Sequence, residues 1–309
     1  MSEILVKKKS NLFQLKKQIG WYSFIIVTLI ALVLFVYIPM ITTVKYSFYD
    51  VNTIGFGERF VGLGNYLFLL KNSAFYKAMG NTMVLGLLGL LTIPVGFILA
   101  SLINSVLNKK FQSFFRVGFY MPNIITGVTV IIIFQIILKG YQGSLNVALS
   151  SIFGRNVEIG WLSDPRFAKI GATIVWVYSN LGYSMLINLA SMQSITREIY
   201  EAAEVDGASK FKQWLYLTIP NMKGCFSFLL ITGIISGLSR FTDLYILSGF
   251  SGAGGNEAAF QTILLYIYQY SFEQPRYGLS SAGAMILFFF VLIFTLINVR
   301  LSGIFKEEK

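Results

Sequence analysis

Residues 201–220 read EAAEVDGASKFKQWLYLTIP, and hydrophobic segments long enough to cross a membrane flank this stretch on both sides. It is therefore a loop of a membrane protein, and it carries more pattern than a connector needs. Thr196 stands where a hydroxyl can cap a first helical turn by accepting from a free backbone N–H. Glu198 follows within that turn, where negative charge suits the helix dipole. Ile199, Ala202, Ala203 and Asp206 fall at i, i+3, i+4, i+7, one face of a helix. The two alanines keep that face low enough for another protein's backbone to approach, with Glu201 and Glu204 beside it. Gly207 is suited to end the helix in the left-handed region, having no Cβ to clash there. A second amphipathic segment, Ser209–Leu217, follows, and Pro220 is expected to stop it and turn the chain into the next apolar run.

The composition around this loop fits a bilayer. Of 309 residues, 55% are hydrophobic and 13% charged, and the mean hydropathy is +0.66; a soluble domain carries about 25% charged residues. Crossing the hydrocarbon core takes about 20 apolar residues in a helix. Six runs qualify, at residues 21–43, 81–104, 117–138, 170–189, 224–247 and 279–301. The sequence predicts an all-α polytopic membrane protein with six transmembrane helices. Its parts are a basic cytoplasmic segment 1–20, a membrane domain 21–301 that includes the cytoplasmic loop 192–223, and a cytoplasmic tail 302–309. The basic N-terminus leads into an apolar run with no small-residue cleavage site, which predicts a retained first helix, with Trp21 and Tyr22 at the interface. With both termini inside, 15 of the 25 lysines and arginines fall on the cytoplasmic side and 9 outside, as the positive-inside rule requires. That rule accounts for the net charge of +11 without invoking nucleic acid.

Several functions are excluded. There is no histidine and a single cysteine, Cys225, so the chain has no internal disulfide and no histidine-dependent metal or acid–base site. No catalytic constellation and no metal ligand set is present. No G-x-x-x-x-G-K-[ST] phosphate loop occurs, so any ATPase that drives this protein is another chain. Within the spans, Pro94 predicts a kink. Met121-Pro122-Asn123 predicts a break near the start of the third span, after a basic loop with Lys109, Lys110 and Arg116. Gly86, Gly89 and Gly96 would admit a neighbouring helix closely. The external segment between the first two spans, which contains FVGLGNYLFLL, is too short and apolar for a separate domain and is expected to pack on the outer rim.

The loop resembles the EAA signature of ABC-importer permeases: Glu-Ala-Ala, three residues, Gly, nine residues, Ile, one residue, Leu-Pro. Glu201, Ala202, Ala203, Gly207 and Pro220 match in register, with Leu217 and Ile219 exchanging the two aliphatic types. An amphipathic helix lying on the membrane surface is the plain alternative. The likeness continues through FVGLGNY, the Pro122 region, WLSDP and SRFTDLYILSGF to the maltose-type subfamily of carbohydrate permeases. Membership implies a chain of the bacterial or archaeal cytoplasmic membrane that imports a carbohydrate by alternating access. It implies a second related permease subunit, two ATPase subunits that use ATP and magnesium, and an external substrate-binding protein. It also implies that Glu201, Ala202, Ala203, Asp206, Gly207 and Pro220 belong to the ATPase-coupling element.

Polar residues inside a span mark candidate transport sites. Asn123 and Gly127 in the third span, Leu181 and Gly182 in the fourth, and Ser236, Arg240 and Asp243 in the fifth match positions that hold sugar in that subfamily. Asn123 stands in place of an aromatic residue, Gly127 in place of a hydroxyl, and Arg240 and Asp243 in place of amides. The i, i+4, i+7 spacing of Ser236, Arg240 and Asp243 places them on one helix face. Arg240 and Asp243 can pair with each other, or Arg240 can meet an acidic, uronate-containing oligosaccharide. An ion-gradient-driven carrier is the competing class, although the chain shows no internal repeat.

Overall fold

In the computed structural model, residues 25–52, 57–125, 127–140 and 142–302 are described. The basic segment 1–20, Trp21, Tyr22 and residues 303–309 lie outside them. Among the described residues five helices are long and apolar enough to cross a membrane, and a bent pair makes six if it is counted as one span.

Helix α1 (Ile25–Ser47) packs on the last span. A two-residue antiparallel ladder, β1 (Tyr49–Asp50) with β2 (Arg59–Phe60), follows. The FVGLGNY stretch leads into α2 (Gly64–Lys71), which is tied to the end of α1 and to β1. Asn65 donates to the carbonyls of Ser47 and Tyr49 at 3.0 and 2.9 Å. The second span comprises α3 (Ser73–Gly89) and α4 (Thr92–Asn104). Then come α5 (Lys109–Ile124), α6 (Gly127–Ile137), α7 (Ser144–Phe153) and α8 (Pro165–Gln193). The loop region contains α9 (Arg197–Val205), α10 (Lys210–Gln213) and α11 (Ile219–Asn221). Helices α12 (Lys223–Leu238) and α13 (Thr242–Leu247) form the fifth span. Helix α14 (Ile263–Tyr268) leads to the last span, α15 (Tyr277–Ser302).

Proline chemistry sets the irregularities. Pro94 has no N–H for the carbonyl of Leu90 and crowds it, and the second span breaks there, at Leu90–Leu91. Pro39 and Pro220 each follow a π turn, Val33–Tyr37 and Trp214–Thr218, in which the ladder widens just before the proline ring.

Three expectations need correction. Pro122 lies inside α5, and the third span breaks after it, with α5 and α6 bent by 96°. The basic stretch Lys109–Arg116 is the start of α5 rather than a loop. Pro220 does not stop its segment; the chain turns two residues later, at Met222.

Small residues let the helices approach. A Cβ on Gly86 would come within 2.7 Å of Leu238, and one on Gly96 within 2.3 Å of Ser184. These contacts seat α3 on α12 and α4 on α8. One core cluster holds Leu85, Ala172, Val175, Leu244 and Phe260. A second gathers Leu69, Phe75, Ile263 and Tyr266. A third, at the end carrying the loop, joins Phe97, Ala100, Met185, Leu189 and Met222.

Candidate functional site: a cleft at the helix breaks and an exposed helix

The fifth span is broken at Ser239–Phe241, between α12 and α13, so Ser236, Arg240 and Asp243 do not share one helix face as their spacing predicts. Arg240 lies in the break, and its side chain runs inward. Its Nε donates to the Asp243 carboxylate at 3.0 Å, its Nη2 to the carbonyl of Ala172 at 3.0 Å, and its Nη1 to that of Leu85 at 3.4 Å. The guanidinium also lies 4.5 Å from the Trp176 ring centroid. Only 1% of Arg240 is exposed, and 7% of Asp243. A lone charge at the centre of a membrane helix costs about 2.5–3.5 kcal/mol on insertion scales. Leaving the helix turns this guanidinium toward a carboxylate, an aromatic face and the carbonyls of two other helices.

Around the same break lies a cavity of about 360 Å³, lined by Gly127, Trp176, Asn180, Ser236, Arg240 and Asp243, among others. Trp176, Asn180 and Ser236 also line a neighbouring cavity of about 220 Å³, which reaches Gly89, Thr92 and Ile93 at the break of the second span. Gly127 opens α6, just past the break of the third span. The two cavities thus form a cleft bordered by the broken ends of three spans, with unbroken α8 supplying Trp176 and Asn180.

The other predicted residues sit differently. Leu181 faces a separate apolar pocket of about 280 Å³ with Phe114, Phe115, Phe119 and Pro122. Gly182 is a packing contact: a Cβ there would come within 2.5 Å of the Phe119 carbonyl. Asn123 caps the same contact, its Oδ1 accepting from the Tyr183 N–H at 3.3 Å. Sequence reasoning missed Trp176, which borders both cavities and bears the guanidinium. Its signal was present: it lies mid-span, away from the interfaces where membrane tryptophans collect.

At the end of α8 the chain enters α9, none of whose residues is buried. Thr196 is its N-cap, but no side-chain hydrogen bond caps it, contrary to expectation. Arg197 pairs with Glu201 at 2.8 Å across one turn. Asp206 is the C-cap and Gly207 adopts φ +76°. The N–H groups of Ala208 and Gly207 reach back to the carbonyls of Ala203 and Glu204 at 2.9 and 3.0 Å, the hydrogen-bond pair of a Schellman ending. Lys210 pairs with Glu204 across that turn, and its ammonium holds the Glu204 carboxyl below the usual range. The Glu201–Ala202–Ala203 stretch is therefore a rigid, exposed helix with a fixed end, while Pro220 stands exposed on the returning segment.

These features define a membrane permease: an all-helical bundle with a cleft inside, edged by a few polar side chains, and a helix presented outside it. The chain belongs to the family described as binding-protein-dependent transport system inner membrane component, which matches residues 92–303. It is 31% identical over 293 residues, 94% of this chain and 98% of the other, to the multiple sugar-binding transport system permease protein MsmF of Streptococcus mutans. It is 30% identical over 305 residues, 94% of this chain and 95% of the other, to the arabinooligosaccharides transport system permease protein AraP of Bacillus subtilis. Its fold superposes with a TM-score of 0.81, at 23% identity and over 96% of this chain and 98% of the other, on a bacterial ABC transporter chain from the import of the acidic polysaccharide alginate. The protein is a permease subunit of an ABC importer and not an enzyme; ATP hydrolysis belongs to a separate subunit.

Proposed function

We propose that this chain forms the translocation path for an oligosaccharide in the cytoplasmic membrane of a bacterium or archaeon. The observation that carries the reading is the cleft at the helix breaks. There Asn180, Ser236 and the Trp176 ring supply hydrogen-bonding groups and stacking surface of the kind a sugar needs. The relatives named for sugars and arabinooligosaccharides support the carbohydrate class.

Both termini lie in the cytoplasm in this reading, and the membrane domain spans residues 21–301. A second, related permease completes the cleft, and an external binding protein delivers the substrate. The transporter has two ATPase subunits, which use ATP and magnesium, and one of them receives α9 and Gly207 of this chain in a surface groove, a helix-in-groove contact. Asn123, Leu181 and Gly182 shape the wall behind the cleft, and Gly127, Ser236, Arg240 and Asp243 border the sugar. Arg240 already has a carboxylate and two carbonyls, which favours a neutral sugar over a uronate-containing one.

The test is transport in liposomes carrying this chain with its companion permease and ATPase, supplied with loaded binding protein. Oligosaccharide uptake should require ATP on the ATPase side. Uptake driven by an ion gradient without ATP would overturn the reading in favour of a secondary carrier.

A further inference from the structure

The loop that follows α9 is keyed to the second span through one side chain. Trp214 lies in the π turn after α10. Its indole N–H donates to Ser101 Oγ at 2.9 Å, and its ring stacks on Phe97 with centroids 5.3 Å apart and planes at 26°. Ser101 and Phe97 are one turn apart on α4, and the Ser101 hydroxyl donates to the Phe97 carbonyl at 2.8 Å. Both faces of the junction are held: Phe97 is buried against Phe226 edge-on at 5.1 Å. From the other direction, Tyr200 on α9 shares a hydrogen bond of 2.9 Å with Thr218 in the same π turn as Trp214.

Helix α4 joins α3 through an irregular turn at Leu90–Leu91, where the regular ladder is interrupted although both residues keep right-handed helical dihedrals. Its first residues, Thr92 and Ile93, line the cleft. Ser101 lies eight residues further along, about 12 Å at 1.5 Å per residue. A displacement applied at Ser101 therefore arrives at the cleft wall through one rigid helix.

We propose that Trp214 is a positioning residue for energy coupling: it ties the α9 segment to α4, so that movement of α9 tilts α4 and reshapes the cleft at Thr92 and Ile93. This rests on the reading of α9 as the ATPase-contacting helix. The short link 194–196 joins α9 to α8, which carries Trp176 and Asn180, and Trp214 adds a side-chain tie from the same loop region to α4.

The experiment uses the complete transporter in liposomes, with ATPase rate and uptake measured together. Trp214→Ala should leave assembly and basal ATP hydrolysis intact and lower sugar moved per ATP about tenfold, within the range that changes along coupling networks produce. Trp214→Phe keeps the stack and should recover much of the loss, whereas a merely structural role would track thermal stability and not the ratio. If Trp214→Ala fails to assemble, Ser101→Ala carries the test and should lower the same ratio with assembly intact. A wild-type ratio in the assembled variants overturns the proposal. ATP-independent uptake by the unmodified transporter would instead overturn the importer reading beneath it.

Discussion

Arg240 and Asp243 form an ion pair across the break of the fifth span, enclosed by α3, α8 and α13, with the Trp176 ring against the guanidinium. Their separation of three residues would suit a pair along a helix. Here the pair instead closes a non-helical corner, and the Thr262 hydroxyl donates to the Arg240 carbonyl at 3.4 Å.

Removing one partner of a buried pair leaves an uncompensated charge and costs about 3–5 kcal/mol. Asp243→Asn and Arg240→Gln should each lower the thermal stability of the purified protein by that order, and the double variant should recover part of it. Neutral and acidic oligosaccharide uptake should fall together in Arg240→Gln. Selective loss of the acidic substrate, with stability unchanged, would mean that Arg240 reads the substrate charge.

Gly182 is where α5 and α8 touch through backbone. A methyl there would meet the Phe119 carbonyl at 2.5 Å and Tyr120 Cα at 2.8 Å, atoms that cannot step aside without moving α5. Gly182→Ala should destabilise by about 1–3 kcal/mol, the usual cost of overpacking. Gly118→Ala, with nothing within 4 Å of its added methyl, should be neutral or stabilising. Equal melting temperatures for the two variants would contradict this packing.

Gly207 has open space around it, so its requirement is conformational. Valine at φ +76° carries left-handed strain of about 1–2 kcal/mol, which opens the turn that ends α9. Gly207→Val and Glu201→Lys should insert normally and separate ATP hydrolysis from uptake. Substrate-stimulated ATPase at wild-type levels in both would show that α9 is not the coupling contact.

Trp176 and Asn180 line both parts of the cleft. Trp176→Ala should reduce oligosaccharide uptake about tenfold if stacking on the ring contributes about 1.4 kcal/mol, with basal ATPase retained. Asn180→Ala should weaken uptake less, because the Asn180 amide already donates to the Trp176 carbonyl at 2.9 Å. Uptake unaltered in Trp176→Ala would place the sugar path elsewhere.

Asp164 caps α8, accepting from the Arg166 N–H at 2.9 Å and from its guanidinium. The Arg166 side chain first, and its backbone N–H second, hold this carboxyl below its usual range. A carboxyl depressed in the folded state stabilises above its unfolded pKa, and the contribution fades as pH falls through the folded value. Asp164→Ala should therefore melt below wild type at neutral pH, and the gap should close in acid below the ordinary carboxylate range. A gap independent of pH would assign the effect to packing.

The sequence by itself determined the all-helical membrane class and the apolar segments of the spans, which rest on apolar length against bilayer thickness. The family was legible from the resemblance of residues 201–220 to a known signature, with glycine and proline at fixed places. Gly207 in the left-handed region and the close approaches at Gly86 and Gly96 were legible because the residue type alone permits them. The tertiary structure decided where the third and fifth spans break, and with that the shape of the cleft. Ser236, Arg240 and Asp243 read as one helical face because spacing assumes an unbroken helix. The break at Ser239–Phe241 is accompanied by long-range partners for the guanidinium, the carbonyls of Leu85 and Ala172 and the ring of Trp176. Those partners lie 64 to 155 residues away along the chain, and a local pattern cannot anticipate which distant carbonyl a buried charge will find.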